Sequence, residues 1–276
     1  YPGTLQDSTM GIIQRNNVNI SGRGASTMVF AHGFGCDQSM WRRLAPSFHD
    51  DYRIVLFDHV GSGSSDLAAY DVDKYDSLHG YARDLIEIVR EVSDGPVVFV
   101  GHSVSCMIGL LAALEAPQLF SAQAMVTPSP CYVNDGDYIG GFTREDIDDL
   151  LLTLEHNYLG WSSAMAPAIM GVPDQPELGA ELINSFCRTD PRIAAQFARV
   201  TFLSDHRGVL PLNVTPTLIL QASEDVVAPR AVGEYMHRTM RNSTLRVVEN
   251  NGHCPHVSAP IATAEAISAF LRTTPT

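Results

Sequence analysis

The five cysteines of this 276-residue chain, Cys36, Cys106, Cys131, Cys187 and Cys254, are odd in number, and no C-x-x-C spacing occurs among them. That excludes a disulfide-stapled scaffold and a zinc ribbon, and it points to a reducing compartment. No apolar stretch reaches the length of a membrane span. Basic residues are scarce: 18 Lys and Arg stand against 31 Asp and Glu, a net charge of −13, with no basic run. A nucleic-acid backbone needs clustered positive charge, so that class of partner is excluded. Internal repeats and low-complexity tracts are absent. So is a basic-then-apolar opening segment, and the expected location is therefore cytoplasmic. Tyr1 to Thr9 precede Met10 and are expected to be added or disordered residues outside the fold. The whole chain has 45% hydrophobic and 18% charged residues, the balance of a compact chain long enough for one large core. Its acidity favours uncharged or cationic ligands over anions.

Short apolar runs alternate with helical patterns, which predicts a mainly parallel sheet covered on both faces. Thr27–Phe30 leads into His32-Gly33-Phe34-Gly35, and Arg53–Phe57 leads into Asp58 and Gly61-Ser62-Gly63. A helix with Tyr81, Leu85, Ile88, Val89 and Val92 on one face precedes the run Pro96–Val100, and Ala124–Val126 follows. From about Asn134 to Ser204 strand patterns vanish. Ile147, Leu150, Leu151 and Leu154 stand at helical spacing, as do Tyr158, Trp161, Met165 and Ile169, with further helices near Leu178–Phe186 and Ile193–Phe202. Strands resume at Thr217–Leu220 and Leu245–Val248, and a last helix carries Ile267, Phe270 and Leu271. The expected division is a core of residues 10–133 and 206–276 with a helical lid, 134–205, inserted into it.

Gly101-His102-Ser103-Val104-Ser105 joins an apolar strand to a helix bearing Cys106, Met107, Leu110, Leu111 and Leu114. Strand, sharp turn and helix are the setting of a nucleophile elbow, which lifts a serine hydroxyl clear of the sheet in an α/β-hydrolase fold. The G-x-S-x-G pattern ends here in Ser105, at a position that packs helix on strand and needs a small residue. A serine hydroxyl needs a base, and the base needs an orienting acid. In this architecture the partners follow in the order acid, then histidine, each past a strand end. Asp225 lies beyond Leu218–Leu220, and His253 lies beyond Val247-Val248. Glu224 is the rival acid, and Asp225 could instead be a turn or capping aspartate. His256, His237 and His206 are rival bases, although Gly252 equips His253 with a tight turn. His253-x-x-His256 lacks the companion ligands of a metal site, so no metal or other cofactor is expected.

His32-Gly33-Phe34-Gly35 sits at an earlier strand end. There the N–H of Phe34, with that of Val104, could hold an oxyanion; an ordinary glycine turn is the alternative. Gly61-x-Gly63 lacks the third glycine of a nucleotide loop and reads as a turn beside the site.

Beyond these motifs the chain resembles RsbQ-type regulators of the bacterial general stress response and, more distantly, the plant karrikin and strigolactone receptors. The resemblance runs from about Ile12 through Gly33–Ser39, Phe57-Asp58 with Val60–Gly63, Gly101–Val104, Ser129–Tyr132 with Asn134-Asp135, Gly140–Phe142 and Gly252–His256. It implies an α/β-hydrolase core with a mainly parallel eight-stranded sheet, a four-helix V-shaped lid and a Ser103–His253–Asp225 triad. It also implies a secluded pocket for a small hydrophobic ligand or ester, lined by Phe34, Phe142, Trp161, Met165, Phe202, Val226 and Val227; each aromatic could instead serve lid-to-core packing. Met165 stands where the karrikin receptors carry an aromatic, so their ligand preferences do not transfer. The expected activity is slow esterase or lactonase-like hydrolysis. Alternatives are a ligand sensor that activates a partner phosphatase, a metabolic carboxylesterase and a carbon–carbon bond hydrolase.

Overall fold

Continuous apolar runs give the inner strands two buried faces, and the computed structural model assembles the strands into a single sheet. It describes residues 11–274, so the expectation for Tyr1 to Thr9 lies outside the described residues. In chain order the elements are α1 (Ile12–Arg15), β1 (Asn19–Gly22), β2 (Ser26–Ala31), β3 (Tyr52–Phe57), α2 (Leu78–Val92), β4 (Val97–His102), α3 (Val104–Glu115) and β5 (Phe120–Val126). Then come α4 (Arg144–Met170), α5 (Pro176–Cys187), α6 (Pro191–Phe202), β6 (Thr217–Glu224), α7 (Arg230–Thr239), β7 (Ser243–Asn251), α8 (Pro255–Ser258) and α9 (Pro260–Thr273).

The strand order is β1-β3-β2-β4-β5-β6-β7, parallel throughout except for the β1–β3 pair. The described residues thus form seven strands, not the expected eight. Ile12–Arg15, directly ahead of β1, closes into a helical turn, and among the described residues the antiparallel edge carries a single strand. Every residue of β4, the middle strand, is buried. Val29, Val55, Phe99 and Met125 pack under α2, α3 and α7 on one face. Phe30, Ile54, Val100 and Leu220 pack under Trp41, Phe48 and α9 on the other.

Between β5 and β6 the chain builds a helical block above the strands' C-terminal ends. The chain leaves at Pro130 and returns at His206, whose N–H donates to the Pro130 carbonyl at 2.8 Å. α4 opens with a reciprocal cap in which Thr143 and Asp146 bond each other's backbone N–H. It breaks at Asn157, which leaves helical geometry at φ −150°, ψ 61° and accepts the Gly160 N–H as a fresh cap. With α5 and α6, the block therefore has four helical segments.

Two backbone approaches position the elbow. A Cβ on Gly101 would lie 2.8 Å from the Ser105 carbonyl oxygen and 2.9 Å from the Phe99 ring, and one on Gly109 would meet that ring at 2.1 Å. Strand and helix are in contact because both residues lack side chains. We expect Gly101→Ala to destabilise the protein by about 1–3 kcal/mol in urea unfolding, the usual cost of overpacking.

Candidate active site

Ser103 follows β4 at φ 55°, ψ −121°, outside the regions a residue with a Cβ prefers, at a cost of about 1–3 kcal/mol. Its neighbours hold it there. The Ser103 N–H donates to Val126 O at 2.9 Å, and its carbonyl accepts the Cys106 N–H at 2.9 Å. The turn aims Oγ at His253, whose Nε2 stands 2.7 Å away. Across the ring, His253 Nδ1 lies 2.7 Å from Asp225 Oδ2. Both partners are sequestered, with side-chain exposures of 5% for His253 and 0% for Asp225.

Asp225 makes the contacts of both readings weighed for it. Its Oδ1 accepts the N–H groups of Val227 and Ala228, an aspartate-capped turn, while Oδ2 remains for the histidine. Glu224 is exposed and lends only its backbone carbonyl, to Gly252 N–H at 2.7 Å. Of the rival bases, His237 bonds Ser243 on the surface and His206 is bonded through its backbone at the neck of the helical block. His256 lies fully buried, its ring centroid 4.2 Å from that of His102.

The loop carrying His253 is pinned from both sides. His102 Nε2–H and Thr127 Oγ1–H each donate to the His253 carbonyl at 2.9 Å. On the other side His253 N–H donates to Ile169 O of α4 at 2.7 Å. Gly252 has φ 99°, and a Cβ there would lie 2.0 Å from the Met170 carbonyl. A Cβ on Gly171 would in turn meet Gly252 Cα at 2.6 Å. The glycine before His253 thus serves close contact with α4 as well as the tight turn.

Phe34 and Val104 flank the serine from different elements, the loop after β2 and the first turn of α3. Neither backbone N–H donates to another group among the described residues. Four aromatic rings surround Phe34, with centroids 5.8–6.3 Å away: Trp161, Phe186, Phe197 and Phe202.

A cavity of about 470 Å³ opens over Ser103, well within the size of small-ligand sites. Phe34, Phe142, Trp161, Met165, Phe202, Val226 and Val227 all line it. Met165 and Val226 are 38% and 58% exposed, so they stand at its mouth and only the deeper part is secluded. The sequence reading missed Leu150, Ile169, Leu182 and Phe186 as lining residues, along with Cys36 and Cys254. The first four sit at helical spacings that read equally well as packing. Asp146 and Asp149 add two carboxylates to the lining, and bonds from Thr143 hold Asp146 below the usual carboxylate range. A larger open groove lined by Tyr70, Arg192 and Arg199 lies away from Ser103.

A serine on a strained strand–helix turn, hydrogen-bonded through histidine to aspartate at the C-terminal ends of β4, β7 and β6, defines the hydrolase class of doubly wound α/β proteins. The chain belongs to the alpha/beta hydrolase family, whose description matches residues 28–266. It is 40% identical over 257 residues to the Karrikin insensitive 2 receptor CA of Petunia hybrida, covering 91% of this chain and 94% of the relative. It is 37% identical over 266 residues to Strigolactone esterase D14 of Arabidopsis thaliana, covering 96% and 98%. Among solved structures, olei00960, a hydrolase from Oleispira antarctica, superposes with a TM-score of 0.92 at 41% identity, covering 95% of this chain and 96% of that one.

Burial holds three histidines around the site in the neutral form. His256 is pushed down to about 3, and His59 and His102 are held well below the ordinary histidine value. In the unfolded chain each regains its ordinary affinity, so below about pH 6.5 the unfolded state binds protons that the native state does not. Stability is therefore complete above that pH and falls as the solution is acidified. Urea midpoints measured from pH 7 to 4.5 should show His256→Phe removing about 1.4 kcal/mol of this loss per pH unit.

Proposed function

We propose that the protein is a serine ester hydrolase acting on a small apolar ester or butenolide-type lactone. One observation carries the reading: the continuous chain Ser103 Oγ–His253–Asp225, with both contacts at 2.7 Å. Ser103 Oγ attacks the ester carbonyl while His253 Nε2 takes its proton. The tetrahedral oxyanion rests on the N–H groups of Phe34 and Val104, and Asp225 holds the imidazole in its working tautomer. Collapse expels the alcohol, protonated by His253, and water then releases the acyl group by the same steps in reverse order. Residues 134–205 act as the lid, and the apolar cavity lining selects an uncharged ligand. Asp146 and Asp149 at its wall oppose anionic ones.

A second reading draws support from the receptor relatives and from the contact between α4 and the His253 loop. In it hydrolysis is slow, and the occupied protein signals to a partner, as an RsbQ-like regulator of a phosphatase in the stress response would. The five free thiols suit a cytoplasmic site of action for either reading.

Ser103→Ala should lower p-nitrophenyl acetate hydrolysis by about a thousandfold or more while leaving the far-UV circular dichroism and melting temperature unchanged. Full activity in that variant would refute the assignment. Intact-mass spectra during butenolide turnover separate the two readings: a persistent adduct on Ser103 or His253 with little product marks the sensor, and rapid product without adduct marks the enzyme.

A further inference from the structure

Ser105, the residue that breaks the glycine pattern of the elbow, does more than fit a small space. Its side chain is fully buried, and its Oγ–H donates to the carbonyl of His32. The same oxygen lies 2.8 Å from His59 Nε2. With its hydrogen committed to His32, Ser105 accepts the Nε2–H of His59. His59 then returns to the same strand end, its backbone N–H donating to His32 Nε2 at 3.1 Å. The His32 ring proton is left on Nδ1, where it is donated to Gly33 O at 2.9 Å. The loops after β2 and β3 and the first turn of α3 thus close into one ring of hydrogen bonds through three residues no more than 1% exposed.

That ring spans the two segments that carry the oxyanion donors. Val104 immediately precedes Ser105, and Phe34 lies two residues beyond His32. An oxyanion hole works only if both N–H groups reach a single point, each about 2.7–3.1 Å away. The surroundings leave little slack, because a Cβ on Gly33 would lie 2.6 Å from His102 Nδ1. We propose that Ser105 is a positioning residue whose hydroxyl, backed by His59, sets the spacing between the N–H groups of Phe34 and Val104. The proposal rests on the serine-hydrolase reading above. Glycine at 105 would strand the His32 carbonyl and the His59 Nε2–H in the core without partners, so this serine is not a tolerated substitute for glycine.

Three variants test it with p-nitrophenyl acetate: Ser105→Ala, His59→Phe, which removes the backing donor, and His59→Gln, which restores an N–H at that reach. Ser105→Ala and His59→Phe should each lower kcat by about tenfold to a hundredfold, less than outright loss of an oxyanion donor, with KM within about threefold. Affinity for phenylboronic acid should weaken in parallel. Its boron takes an Oγ lone pair of Ser103 while the Oγ proton passes to His253, giving a tetrahedral boronate that needs the same donors. The double variant should be no slower than the slower single one, and His59→Gln should keep most of kcat.

A purely structural role would lower the melting temperature and leave kcat and boronate affinity together. Unchanged kcat and boronate affinity in folded Ser105→Ala, or a loss confined to KM, overturns the proposal. Should Ser105→Ala not fold, equal kcat in His59→Phe and His59→Gln overturns it as well. A wild-type protein without ester turnover or Ser103 adducts brings down the hydrolase reading itself, an outcome distinct from active wild type with an unaffected Ser105 variant.

Discussion

A side chain held at φ 55° at the end of the middle strand is the constraint on which the rest of the site depends. Left to itself such a turn relaxes, because the Cβ crowds the backbone in that region. Here it cannot. Behind it the Ser103 N–H is committed to β5, and the Cys106 thiol donates to Gly101 O at 3.2 Å. Ahead of it α3 is bonded to the end of β2 through Ser105. A few hydrogen bonds, each worth about 1 kcal/mol net, are enough to offset strain of about 1–3 kcal/mol. The hydroxyl is thereby delivered already pointing at His253.

The second requirement is a histidine that keeps its place while its charge changes. His253 is held by its backbone as much as by its ring, through His102 and Thr127 on the core side and Ile169 on the α4 side. Behind it His102 and His256 form an aromatic wall with Trp41. Burial keeps that wall uncharged near neutral pH, so it places no positive charge behind His253 to oppose the proton transfer of the proposed reaction. The wall's cost is sensitivity to acid, since the unfolded chain gains the protons that the wall refuses.

Most of the site was legible because its parts are local. Ser103, Asp225 and His253 each stand just beyond an apolar run, and an apolar run bounded by a turn is a strong strand signal. What escaped was non-local or polar. β1 is exposed along its whole length and offers no apolar alternation, as befits an edge strand. The break in α4 falls between the two apolar stretches that end at Leu154 and begin at Tyr158; only the residue that makes it, Asn157 capping Gly160, reads as an ordinary helix residue. Ser105 reads as a packing substitute in the sequence because glycine patterns describe space, not hydrogen bonds. Its partners lie 46 and 73 positions away in the chain. The cavity residues read from the resemblance do line the cavity, whereas Leu182 and Phe186 followed a helical spacing that packing alone accounts for equally well.

α4 links the cavity to the chemistry. Leu150, before the break at Asn157, lines the cavity, and so do Trp161, Met165 and Ile169 beyond it. Ile169 also accepts the backbone N–H of His253. Any ligand that fills the cavity therefore bears on the same helix that helps to hold the base. Gly171 at the end of α4 lies against Gly252 so closely that even a methyl group at either glycine would overlap its neighbour. The two proposed readings, turnover and sensing, would draw on this single geometry and differ in timing. If the acyl group departs quickly, the α4 contact does no more than keep His253 aligned. If it lingers, as the second proposed reading has it, the same contact joins α4 to the acylated site for the lifetime of the adduct.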